Sequence, residues 1–169
     1  VLDSARLRWM LAEKLGVAPA SVHAYVIGEH GDSEFALWSG SRTGPISLAE
    51  WELPGGGKLT QNELDAMAED VKNAAYKVIA GKGATNYAIG ISASRIAEAI
   101  LTDENAVLQV SSMLQDYNGI SGVALSVPTI VNKYGAERQM PVAMSASELE
   151  KFQTSALAVA HALEVLGYK

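Results

Sequence analysis

The 169-residue sequence has no cysteine, which excludes disulfides, thiolate nucleophiles and thiolate metal sites and suits a reducing cytoplasm. It lacks long apolar runs: stretches such as Ala156 to Ala160 fall far short of the ~20 residues that cross a bilayer, and no charged-then-apolar signal segment opens the chain. A membrane partner is therefore not expected. With 13 Lys and Arg against 19 Asp and Glu, a net charge of -6, there is neither a basic stripe to hold a phosphate backbone nor a polyacidic tail, so nucleic acid is a poor partner. Internal repeats and low-complexity tracts are absent. Histidine is scarce, at three residues, so each can be weighed singly.

Two glycine clusters imitate nucleotide-binding motifs and fail. Gly55-Gly56-Gly57-Lys58-Leu59-Thr60 has the wrong spacing for a phosphate loop and no preceding strand. Gly81-Lys82-Gly83 is followed by Asn86 where a dinucleotide fingerprint needs its third glycine, and it follows a helical pattern. No His or carboxylate pair has a convincing ligand spacing, so no metal is expected.

The 49% of hydrophobic residues can bury one substantial core, and the length suits a single domain spanning 1–169. Leu7, Met10, Leu11 and Leu15 recur at helical spacing between Asp3 and Leu15, with Asp3 or Ser4 as cap and Gly16 as terminator. Ser21 to Ile27 is β-branched and aromatic, closed by Gly28, and predicts one strand. Trp38 to Lys58 reads as irregular. Thr60 and Glu63 form a capping-box pattern ahead of a long amphipathic helix ending at Gly81; a second helix is expected from about Thr85 to Leu101. Ala106 to Leu114 and Gly122 to Val131 predict an antiparallel hairpin around Tyr117-Asn118-Gly119. Ser145 and Glu148 then cap a final helix running to Gly167. Together these predict an α+β fold, a largely antiparallel sheet packed with long helices.

Among the histidines, His161 lies among alanines in the last helix and His23 within a strand; residue type alone makes both structural. His30 differs. Gly28-Glu29-His30-Gly31-Asp32-Ser33-Glu34 sets it between glycines, where the backbone can bend and a ligand can approach, and imidazole can give and take a proton near neutral pH. Asp3 and Arg6 stand three apart on the first helix and can look toward one region: either a capping carboxylate beside a solvated arginine, or a carboxylate that orients His30 and a guanidinium that grips a substrate carboxylate. Spacing does not choose between these. Arg8, about 200° around the helix from Arg6, serves another surface.

Three motifs then carry a resemblance. Leu-Asp-Ser-Ala-Arg at 2–6, Gly-Glu-His-Gly-Asp-Ser at 28–33 and Lys-Gly-Ala-Thr-Asn-Tyr-Ala-Ile-Gly at 82–90, in order and at family spacing, together resemble the C-terminal half of bacterial L-lactate dehydrogenases. The resemblance implies NAD-dependent interconversion of pyruvate and L-lactate. It makes His30 the acid and base, Asp3 its orienting carboxylate and Arg6 the anchor of the substrate carboxylate. Thr85 would line the pocket near the substrate methyl group, and Ile89 would pack against the nicotinamide ring. Arg8 and His23 coincide with positions that bind fructose bisphosphate in allosteric members, which implies a homotetramer with the effector between subunits. The chain opens without a methionine and with chemistry-bearing residues crowded at its start, so the NAD-binding domain and the mobile substrate loop are expected upstream, and this segment alone is expected to be inactive. A lactate-dehydrogenase-like malate dehydrogenase and a noncatalytic oligomerisation module are the competing readings; Glu29, Thr85 and the effector pair favour lactate.

Overall fold

The structure, a computed structural model, describes residues 1–168. In chain order its elements are α1 (Leu2–Leu15), β1 (Val22–His23), β2 (Val26–Ile27), β3 (Phe35–Ala36), β4 (Arg42–Thr43), β5 (Ile46–Ser47), α2 (Gln61–Lys72), α3 (Ala74–Lys82), α4 (Tyr87–Leu101), β6 (Ala106–Met113), β7 (Ala124–Asn132), β8 (Gly135–Gln139) and α5 (Ala146–Val165), with 3₁₀ turns at Pro19–Ser21 and Leu48–Glu50. Every strand pairing with a defined register is antiparallel, which agrees with the expected α+β class. The chain divides into two compact units, one made of Val1–Tyr25 and Ala36–Ser94, the other of Val26–Phe35 and the segment from Arg95 onward.

In the first unit α1 lays Leu7, Leu11 and Leu15 into the core, all essentially inaccessible. Their spacing of four places them on one face, and each contributes about 1.5–3 kcal/mol by burial. Gly16, with φ of 68°, ends the helix and its N–H returns to Ala12 O. Neither Asp3 nor Ser4 is the cap: Val1 occupies that position without a side-chain bond, and both polar residues lie inside the first turn. Against α1 pack α2 and β1. The Thr60–Glu63 capping box forms reciprocally as expected, but the long helix does not run through to Gly81. It breaks at Asn73, whose backbone relaxes to φ -86°, ψ 0° while its N–H bonds Glu69 O and its side-chain amide donates to the same carbonyl at 3.1 Å. Gly81 sits inside α3, and Gly83 is the terminator.

The Ser21–Ile27 run is likewise two strands. β1 joins the three-stranded sheet β1-β4-β5, while β2 pairs with β3; Ala24 and Tyr25 separate them. The supposedly irregular Trp38–Lys58 segment supplies the β4–β5 hairpin.

In the second unit β6 and β7 form the expected hairpin, in register from Ala106↔Val131 to Met113↔Ala124. Within its connection Tyr117 and Ile120 exchange backbone hydrogen bonds of 3.0 and 3.1 Å around Asn118 and Gly119, both at positive φ, the geometry of a type I′ turn. A third strand that the sequence reading lacks, β8, adds to β7. α5 packs on β7, and its Phe152 is fully buried, with its ring 5.7 Å from that of Tyr117. Tyr117 donates to Met140 O at 2.8 Å, and burial raises its phenol pKa. The Ser145–Glu148 capping box forms.

Candidate functional site

The segment after β2 is shaped by Gly28. Its φ is 97°, and a Cβ there would stand 2.6 Å from Ser155 Oγ; only glycine lets the backbone come this close to α5. Gly28 also exchanges two 2.9 Å backbone hydrogen bonds with Ser126 of β7. One residue on, Glu29 N–H donates to Ser155 Oγ at 2.6 Å. Ser33 Oγ lies 3.0 Å from the same hydroxyl and donates to the Glu29 carboxylate. Ser155 is completely buried, so one hydroxyl inside the unit fixes both sides of His30.

The His30 ring itself is presented outward, its side chain 83% exposed, with Nδ1 3.2 Å from Glu34 Oε2. Glu34 is much less accessible than the ring it holds. Neither Ser155 nor Glu34 was singled out from the sequence. Glu34 stands four residues past His30, a cue that could have been used; Ser155, in another element, left no local signal.

In the first unit, Asp3 and Arg6 meet in an ion pair of 3.0 Å, Arg6 Nη1 donating to Asp3 Oδ1, with both side chains about one-fifth exposed. One guanidinium nitrogen is so engaged, and the remaining donors of the fork are on its other edges. Arg8, two residues along, is treated differently by the fold. It is half-buried, desolvation lowers its pKa from the ordinary arginine value, with Tyr25 opposing, and no carboxylate among the described residues pairs with it. His23, on β1, is exposed. Thr85 is half-buried just before α4, and Ile89, in the early turns of α4, is 51% exposed.

The glycines at 55–57 lie in the loop before α2, and Gly81 lies in the last turn of α3 with Gly83 just after it, so neither cluster joins a strand to a helix as a phosphate-binding turn must. No helix among the described residues is long and apolar enough to cross a membrane.

Residues 1–165 match the lactate/malate dehydrogenase family, alpha/beta C-terminal domain. The chain is 48% identical over 156 residues to an L-lactate dehydrogenase of Bifidobacterium animalis subsp. lactis, covering 92% of this chain and 49% of that protein. Among solved structures, the minor L-lactate dehydrogenase of Enterococcus mundtii, in a ligands-bound form, superimposes with a TM-score of 0.91 at 40% identity, over 97% of this chain and 52% of that one. The malate dehydrogenase of Aeropyrum pernix superimposes with a TM-score of 0.85 at 28% identity, over 97% and 53%. This chain thus spans about half the length of the relatives it matches. With its antiparallel sheets, its long helices and a match from Val1 almost to its end, the chain belongs to the C-terminal domain family of the lactate and malate dehydrogenases.

Proposed function

We propose that this chain is the substrate-binding, catalytic half of an NAD-dependent L-lactate dehydrogenase that interconverts pyruvate and L-lactate, with the NAD-binding domain and mobile loop contributed by sequence upstream. The similarity to relatives named L-lactate dehydrogenase across nearly the whole chain carries this reading. An outward-facing imidazole on an anchored loop supports it chemically. His30 gives a proton to the ketone oxygen of pyruvate and takes one from the hydroxyl of lactate; Asp3 is its orienting carboxylate. Arg6 holds the substrate carboxylate through parallel hydrogen bonds, which fixes the reacting carbon in place. Thr85 stands beside the substrate methyl group.

NAD, when bound, supplies or accepts the hydride. The half-exposed Ile89 suits the apolar face of a nicotinamide ring; the residues here fit that one part of the cofactor and leave its phosphates to another segment.

Arg8 and His23 form an effector site for fructose bisphosphate between subunits of a cytoplasmic homotetramer. A half-buried guanidinium with no carboxylate partner among the described residues supports this, because a desolvated cation gains most from a phosphate.

A malate dehydrogenase is the second reading, favoured by the shared fold of the Aeropyrum pernix protein. Steady-state rates of the complete enzyme with pyruvate and with oxaloacetate separate the two: a preference for oxaloacetate overturns lactate. Replacing His30 by Asn should lower kcat by about 10²–10⁴-fold, the usual weight of a positioned acid and base. Near-normal turnover would remove His30 from the chemistry.

A further inference from the structure

The three-stranded sheet β1-β4-β5 places residues in pairs. His23 stands opposite Arg42, and Arg42 opposite Ser47; the alternate row is Val22, Thr43 and Ile46. Side chains at paired antiparallel positions project from one face, with Cβ atoms about 4.5–5.5 Å apart. Val22 and Thr43 are buried while His23 and Arg42 are exposed, so the imidazole, the guanidinium and the Ser47 hydroxyl form a row on the outer face.

This row is electrostatically incomplete. Two cation-bearing side chains directly opposite one another repel when both are charged, and in a chain of net charge -6 carboxylates are plentiful. Yet among the described residues neither His23 nor Arg42 has an ion pair or a side-chain hydrogen bond. The next strand offers Arg42 a hydroxyl, a neutral donor, rather than an acid. The helix packed against β1 is α1, and it brings the half-buried Arg8, another cation without a carboxylate partner among the described residues.

We infer that Arg42 is a third cationic ligand of the effector site, so that the outer face of the β1-β4-β5 sheet takes a phosphate ester with the Arg42 guanidinium as its two-point donor. The inference rests on the reading of Arg8 and His23 given above and extends it to a residue that the motifs did not single out. An oxyanion set between His23 and Arg42 turns a repulsive pair into two charge-assisted contacts, and the planar fork of arginine binds phosphate oxygens in parallel where a lysine could offer only a point charge. Ser47 adds a neutral donor at the end of the row.

The test is the half-activating concentration of fructose bisphosphate, measured on the complete enzyme for the wild type and for Arg42→Gln, Arg42→Lys, Arg8→Gln and His23→Gln. Arg42 is exposed, so its replacement leaves the fold intact. Arg42→Gln should raise that concentration about 10-fold or more, the loss of one hydrogen bond to a charged group, while the rate without effector is unchanged. Arg42→Lys should fall between, since it keeps the charge and loses the fork. Inorganic phosphate, used as a competitor of activation, should be weakened in the same order. An unchanged half-activating concentration in Arg42→Gln, alongside lost activation in Arg8→Gln or His23→Gln, overturns the assignment of Arg42 and leaves the effector site standing. Undiminished activation in both Arg8→Gln and His23→Gln, or no activation of the wild type, removes the effector site and this inference with it.

Discussion

Two imidazoles in this chain are held in opposite ways. His30 sits on a loop whose backbone and side chains are tied to one buried hydroxyl of α5, and its ring meets a carboxylate four residues on. His23 sits on a two-residue strand, faces an arginine, and has no ion pair among the described residues. A group that must deliver a proton to a defined atom gains from having its position set by the fold. A group that binds a diffusing anion gains from having its charge left unbalanced until the anion arrives. The difference lies in what surrounds each ring, and neither histidine's residue type discloses it.

Removing the anchor is the strongest way to break this comparison. Ser155→Ala removes the hydroxyl without adding bulk and strands the Glu29 N–H, while Ser33 keeps its bond to the Glu29 carboxylate; the cost should be about 1–3 kcal/mol of folding stability, read from denaturant midpoints at constant slope. The complete enzyme should lose kcat with an unchanged fructose bisphosphate response. A stable variant with full kcat would show that the loop finds its geometry without Ser155.

The two arginines of α1 sharpen the contrast further. Arg6→Lys should raise the KM for pyruvate about 10-fold or more by removing the two-point grip, with little effect on activation, and Arg8→Gln should do the reverse. A shared phenotype would mean that the two side chains serve one surface. The smallest effect belongs to Glu63, which receives Lys14 Nζ at 2.8 Å and caps α2. The Lys14 bond first, then those from Thr60, hold its pKa well below the ordinary carboxylate range, at about 2. A depressed pKa in the folded state gives stability that is present above the unfolded value of about 4.3 and is lost as pH falls toward 2. Glu63→Gln should therefore flatten that limb of the acid-unfolding curve slightly, and less so in high salt, since the carboxylate is exposed. Equal acid limbs for wild type and variant would deny Glu63 any role in acid stability.

Much of the fold was legible where local chemistry decides it. Both capping boxes, the terminating Gly16 and the Asn118-Gly119 turn are each specified within four residues. What escaped is decided at a distance or by a signal weaker than its neighbours. The Val22–Ile27 run is mostly strand-forming, with Ala24 its one weak residue, and the pairing of β1 with β4 and of β2 with β3 divides it. The apolar period continues across Asn73, so the break between α2 and α3 is silent in periodicity. β8, Gly-Ala-Glu-Arg-Gln, has no β-branched residue and is a strand because β7 lies next to it. The candidate site follows the same rule: His30, Asp3 and Arg6 stood out by motif, while Ser155 could be found only once α5 was in place.

The bond from Glu29 to Ser155 spans 126 residues of sequence. Closing a loop of that length costs chain entropy that a local contact does not. During synthesis the His30 loop therefore remains without its anchor until α5 has emerged and docked, so the geometry proposed for His30 depends on the far end of the chain, and truncation before Ser155 would remove the anchor while leaving every residue of the three motifs in place.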